Sequence, residues 1–155
     1  MRDIRIRVAA VPDIPHVLHH RSSMYLDMGR GNAAQHETML EITRAFLNSA
    51  MPSGAYVGWL AETSDGRVVA GAGVTIFPWP GSPDDTSGRR ALVQNVYTEP
   101  EFRRQGLASQ LMLTAIAWCR DQGLPSISLH ASDFGRPLYE ALGFRQTNEM
   151  RLHLK

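Results

Sequence analysis

NVYTEPEFRRQGLASQLM, residues 95–112, decides how this chain is read. It divides into a strand-like NVYT, a turn marked by Pro100, a basic stretch ending at Gly106, and the start of a helical run. Helix first turns favour Ser, Asp and Glu, because the dipole there is positive. Arg103 and Arg104 stand at that point instead, which implies an anion supplied from outside. The free backbone N–H groups of a helix start bind phosphate, and Gly106 has no side chain to hold a ligand off the backbone. Ala108 keeps the next approach small, the two arginines add charge suited to a diphosphate, and Ser109 offers a hydroxyl. The competing reading is a solvated basic loop with Gly106 as an ordinary turn residue.

Other phosphate motifs fit less well. The chain has no G-x-x-x-x-G-K-[ST]. GAGVTI, from Gly71, holds two of the three Rossmann glycines and lies inside a strand pattern.

Outward from this stretch, IRIRVAA (4–10) alternates as a half-exposed strand does. Asp13 and Pro15 open a first helix with Ile14, Val17, Leu18 and Arg21 on one face and His16, His19 and His20 mostly outside. LDMGRGN is a glycine-broken loop. A second amphipathic helix, roughly 33–50, places Met39, Ile42, Phe46 and Leu47 on its apolar side. GAYVGWLAE and RVVAGAGVTIF are strands joined through Asp65-Gly66, a hairpin signal. Gly71 and Gly73 mark a bulge or a close backbone approach. RRALVQNVYT is the next strand, and the helix from Gly106 runs to about Gln122. SISLH is a short strand, RPLYEAL a short helix, and FRQT and MRLHL read as closing strands. The order β-α-α-β-β-β-α-β-α-β-β gives one α/β domain over 1–155: a mixed, mostly antiparallel sheet with helices on both faces. The crossover from Arg90 to His130 makes two strands parallel.

With 155 residues, 43% hydrophobic and 20% charged, the chain suits a single globular core. A net charge of +1 gives no polybasic basis for nucleic-acid binding. MRDIRIRVAA lacks an apolar leader core and no run approaches a membrane span, which points to a cytoplasmic protein without a membrane partner. The lone Cys119 excludes an internal disulfide and a cysteine zinc cluster. In its apolar helix it reads as a small core residue. Of the histidines at 16, 19 and 20, two could share a metal by spacing, but no carboxylate or cysteine is obviously paired with them and they read as a solvated face, so no metal is expected.

Arg103-Arg104-Gln105-Gly106-Leu107-Ala108 matches the [QR]-x-x-G-x-[GA] signature of the GNAT acetyltransferase superfamily, and PLYEALGF (137–144) resembles that family's second hallmark. The resemblance covers Arg90 to about Arg145 and implies a GNAT-like sheet with a splayed parallel strand pair. It also implies acetyl-CoA as cosubstrate and an amine acceptor, either a small molecule or a peptide or protein. Carried over, Val96, Tyr97 and Thr98 hold the acetyl carbonyl and pantetheine through the backbone. Residues 103–109 (Arg103, Arg104, Gln105, Gly106, Leu107, Ala108, Ser109) take the diphosphate, and Leu138 and Ser132 border the pantetheine. Tyr139 is the general acid for the departing thiolate; its alternative role is an amphipathic aromatic closing the core.

Two departures accompany the resemblance. Relatives often carry glutamate on the strand before the loop, where this chain has Gln94 and Asn95, and amides cannot act as bases. His130 is the candidate base, with Glu62 second; a backbone-bonded strand-end histidine is the alternative for His130. Relatives also often carry asparagine where Ser132 stands. Met24, Tyr25 and Met28 are candidates for an acceptor-pocket wall, and Trp79 for a lid or an oligomer contact. Exposed sheet edges leave room for a homodimer. A second reading is a non-catalytic acyl-CoA-binding module, and a third a phosphate binder unrelated to coenzyme A.

Overall fold

The computed structural model describes residues 3–154; Met1, Arg2 and Lys155 lie outside them. Four antiparallel strands form one sheet in the order β1 (Ile4–Val8), β2 (Tyr56–Thr63), β3 (Val68–Pro78), β4 (Arg89–Thr98). Between β1 and β2 run α1 (Ile14–Asp27) and α2 (Ala33–Ser53); α3 (Leu107–Asp121) and α4 (Arg136–Ala141) follow β4. α1 and α2 enclose one apolar cluster with Leu18, Leu47 and Tyr56. α3 covers a larger one with Trp59, Val93, Phe102, Leu111 and Met112. The sheet is thus sandwiched between helices, as the element order predicts. β3 lies at its centre, which is why VVAGAGV is buried without alternation.

Both strand glycines are close approaches. A Cβ on Gly73 would lie 1.9 Å from the Tyr56 hydroxyl, and one on Gly71 would lie 2.7 Å from His20 Nδ1. His20 is therefore not on the outer face of α1 as expected: it is 2% exposed and fills the space that Gly71 leaves. Its ring packs against Tyr97, with centroids 5.5 Å apart. Burial, aided by His19 and His16, lowers its pKa from the ordinary 6.5 to about 3. The unfolded chain takes up this proton below its ordinary value and the native protein does not until near the lowered one. The contribution is intact above pH 6.5 and is lost progressively as pH falls toward 3. At about pH 5 the group alone costs ~2 kcal/mol of stability. Thermal unfolding at neutral pH and at pH ~5 checks this: wild type loses stability on acidification, and His20→Asn, less stable at neutral pH, loses less.

Three further expectations differ. In α2 the buried stripe is His36, Thr43, Leu47 and Ala50, while Ile42 is 66% exposed and Phe46 41%. The helix has two apolar stripes, and packing against α1 and β2 selects the one periodicity did not favour. SISLH gives a single parallel bridge, Leu92 to Ser128, rather than a strand. FRQT and MRLHL form no strands, and Met150, Leu152 and Leu154 are exposed. Their alternation satisfies the strand pattern, but no sheet edge of the described chain pairs with them.

Asp13 begins α1 yet caps nothing in it. Its carboxylate takes the two terminal guanidinium nitrogens of Arg7, at 2.8 and 2.9 Å, and the Ala10 N–H at 2.8 Å. Arg7 also reaches Glu62, tying the sheet edge to the first helix.

Candidate active site

The site is built around an irregularity in β4. Gly71 pairs with Tyr97 and Gly73 with Gln94, so β4 spends one more residue than β3 over the same span. Asn95 lies in the left-handed region, φ 59°, a conformation asparagine tolerates better than most residues. The extra residue switches faces along the strand. Ala91, Val93 and Val96 pack toward α3, while Asn95 and Tyr97 meet α1.

Asn95 is clamped there. Its Oδ1 accepts from Arg21 at 2.9 Å and its Nδ2 donates to the Tyr56 hydroxyl at 3.0 Å. Burial pushes the Tyr56 phenol up to about 12, so it stays protonated. Arg21 was legible as the charged member of an otherwise apolar helix face; the need for a buried partner was the signal for this clamp. The bulge also ends the parallel pairing. Val93 N–H donates to Ser128 O at 2.9 Å and Ser128 N–H to Ala91 O at 3.0 Å. Beyond Val93, no further ladder with the 126–130 segment occurs among the described residues. The outer edge of β4 at Val96–Thr98 is therefore left without a ladder partner among the described residues.

After β4 the chain turns through Pro100–Phe102 into α3. Phe102 is buried and anchors the turn. Arg104 and Gly106 both take left-handed conformations, φ 63° and 80°. Nothing lies within 4 Å of where a Gly106 Cβ would stand, so the space beside its backbone is open. The first bond of α3 runs from Gln110 N–H to Gly106 O at 3.1 Å, and no side chain caps the helix. The N–H groups at Leu107, Ala108 and Ser109 thus have no intrahelical acceptor. Leu107 is buried and fixes the start of the helix on the core, with Ala108 and Ser109 half-buried behind it.

Arg103 differs from its expected role. Its Nε donates to Thr98 O at 2.9 Å and its NH2 pairs with Asp27 at 2.6 Å, so it braces the loop against the end of α1. Arg104 and Gln105 are the exposed side chains at the bend. His19, whose Nε2 lies 2.6 Å from Glu99, is a second brace that the sequence did not disclose.

α4 follows the 126–130 segment. Tyr139 is half-buried, edge-on to Phe144 with centroids 6.0 Å apart, and burial raises its phenol above the ordinary value. A Cβ on Gly135 would lie 3.0 Å from the Tyr139 ring. Ser132 Oγ accepts from Gly135 N–H at 3.1 Å, which shapes the turn into α4 and leaves the hydroxyl proton to donate. Leu138 is half-buried beside Tyr139. His130, two residues beyond the parallel bridge, is exposed, and its Nε2 lies 3.7 Å from Glu149. Glu62 is withdrawn from the candidates: Arg7 and Arg5 clamp it on the β1–β2 side and hold its carboxylate below the usual range. Cys119 is buried, its thiol pushed up to about 11, which fits a core residue. Trp79 stacks under the Arg90 guanidinium at 3.7 Å.

The geometry combines a bulged strand with an open edge, an uncapped glycine-led helix start and a tyrosine on a short helix. Residues 20–144 match the profile of the acetyltransferase (GNAT) family. The chain belongs to the GNAT acetyltransferase family. A GCN5-related N-acetyltransferase from Ralstonia eutropha JMP134 superposes with a TM-score of 0.91 at 30% identity, covering 98% of this chain and 99% of that one. A predicted acetyltransferase from Clostridium acetobutylicum, solved with acetyl-CoA, gives 0.87 at 28% identity over 99% and 96%. Among curated GNAT relatives, glucosamine 6-phosphate N-acetyltransferase of Trypanosoma brucei brucei is 34% identical over 57% of this chain and 59% of its own length. The chain spans about half the length of the curated relatives it matches. Among the described residues, no helix of this GNAT chain is long and apolar enough to cross a membrane.

Proposed function

We propose that the protein transfers an acetyl group from acetyl-CoA to a primary amine by direct attack. The observation that carries this is the uncapped, glycine-led start of α3 beneath the open edge of β4. The open space at Gly106 fits a diphosphate on the N–H groups of residues 106–109, with Arg104 as the exposed charge. Val96, Tyr97 and Thr98 then offer backbone groups to the acetyl carbonyl and pantetheine, with Leu138 and Ser132 on the far wall. The Thr98 carbonyl is already taken by Arg103, so its remaining lone pair is what that oxygen offers.

In this reading the neutral amine attacks the thioester carbon, the C–S bond breaks, and the sulfur leaves with its electron pair. Tyr139, kept protonated by burial, donates to that sulfur. The ammonium proton must leave before or during attack. His130 takes it through water; Glu149, which also pairs with Arg151, lies 3.7 Å from its ring. The cytoplasmic assignment is part of the proposal and rests on a single, buried, unpaired cysteine.

Following thiol release from acetyl-CoA over a panel of primary amines tests the proposal. Amine-dependent release supports it. Tight acetyl-CoA binding with no release for any amine favours the non-catalytic module, which the amides Gln94 and Asn95 in place of a carboxylate would suit.

A further inference from the structure

We propose that the acceptor amine carries an anionic group, a carboxylate or a phosphate, held in the cavity between α1 and α2. This rests on the acetyltransferase reading and goes beyond it. A cavity of about 320 Å³ opens there, lined by Tyr25, Arg30, Gly31, Gln35, His36 and Met39. It adjoins the bulge through one side chain. Tyr25 lies between two guanidiniums, Arg30 at 5.1 Å and Arg21 at 5.4 Å from its ring centroid, and Arg21 is the residue bonded to Asn95.

The lining offers one cation, Arg30, the Gln35 donors and no carboxylate. Asn32 N–H donates to Gln35 Oε1 at 2.9 Å, completing a reciprocal cap at the start of α2. With that oxygen committed, Gln35 presents its NH2 donors. His36 is fixed at both ring nitrogens: Nε2–H donates to Arg30 O at 2.8 Å, and Nδ1 lies 3.1 Å from Ser22 Oγ. The nearby Asp27 is already paired with Arg103. A cationic or neutral acceptor would leave this electropositive wall unanswered, whereas an anion answers it with charge-assisted hydrogen bonds.

The loop is also preorganised. Arg30 N–H donates to Tyr25 O at 3.0 Å. Gly31, φ 84°, packs so closely on His36 that a Cβ would lie 3.1 Å from the ring. Arg30 is thus presented from a fixed backbone, its head in solvent and its field therefore sensitive to salt. Met24 and Met28, the other expected wall residues, do not line this cavity; Tyr25 does.

The test uses amines in matched pairs that differ only in the anion: amino acids against their amides, and an amino sugar against its phosphate. Initial rates at saturating acetyl-CoA are compared for wild type, Arg30→Gln and Arg30→Lys, and each variant is titrated with acetyl-CoA to report on the cofactor site. The anionic member is expected to be preferred by about tenfold or more in kcat/KM through KM, as a charge-assisted contact supplies. Arg30→Gln should remove most of that ratio, Arg30→Lys should retain part, and added salt should lower it in wild type. Whether carboxylates or phosphates lead tells the two sources apart. Equal or better rates for the neutral members, or an undiminished ratio in Arg30→Gln, overturn the proposal while leaving acetyl transfer intact. Absence of thiol release with every amine overturns the acetyltransferase reading, and this inference with it.

Discussion

Tyr139→Phe is expected to lower kcat by about 10²- to 10⁴-fold, the range of a lost general acid, while acetyl-CoA binds within a few-fold of wild type. The ring keeps its place between Gly135 and Phe144, so packing changes little. What disappears is one O–H. A thiolate leaving without a proton or a hydrogen bond develops its full charge in a partly buried site. The phenol already sits above its ordinary value, so it is protonated across the neutral range, and the acid side of the rate profile should not report it. Rates measured with saturating amine, alongside calorimetry with acetyl-CoA, separate chemistry from binding. An unchanged kcat would remove Tyr139 from the mechanism and leave it as a core aromatic.

Gly73→Ala should destabilise the fold by about 3 kcal/mol, the upper part of the range for overpacking a core. The new methyl would stand 1.9 Å from the Tyr56 hydroxyl and 2.3 Å from its Cζ. Tyr56 is 2% exposed and cannot swing aside without breaking its bond to Asn95. Stability and the bulge are therefore coupled: the variant should lose both unfolding free energy and acetyl transfer. Urea denaturation of Gly73→Ala, Tyr56→Leu and the double variant measures the link. The double variant should be less destabilised than the sum of the two by roughly 1 kcal/mol or more. A Gly73→Ala protein with the wild-type midpoint would show that β3 can shift freely there.

Local pattern exposed most of the architecture. The hairpin falls at Asp65-Gly66 as its signal suggests, but as a three-residue loop between Thr63 and Arg67, with Gly66 at φ 84°. Gly71 and Gly73 announced close approach, though which side chains approach depends on α1 and β2 meeting across the sheet. That information is tertiary, and it explains the misplacement of His20: nothing on its own helix turn reveals a glycine on β3. Ile42 and Phe46 were misplaced for a related reason, since two apolar stripes on one helix cannot be ranked without the surface that receives them. The uncapped, glycine-led start of α3 was legible because it is local, carried by a glycine and a helix start. The Arg21–Asn95–Tyr56 clamp joins three distant segments and was visible only as an arginine on an apolar face.

The most direct measurement is calorimetric titration with acetyl-CoA and with coenzyme A, on wild type, Gly106→Ala and Gly106→Glu. Both substitutions bear the same left-handed strain of about 1 kcal/mol, and the open space at Gly106 accepts either. Glutamate additionally sets a carboxylate on the helix start, where it suits the dipole and excludes a diphosphate by bulk and by charge. Binding by wild type, reduced binding by the alanine variant and none by the still-folded glutamate variant is the expected result. Wild-type protein that binds neither ligand, or a folded glutamate variant that binds as wild type does, would contradict the placement of the diphosphate on α3.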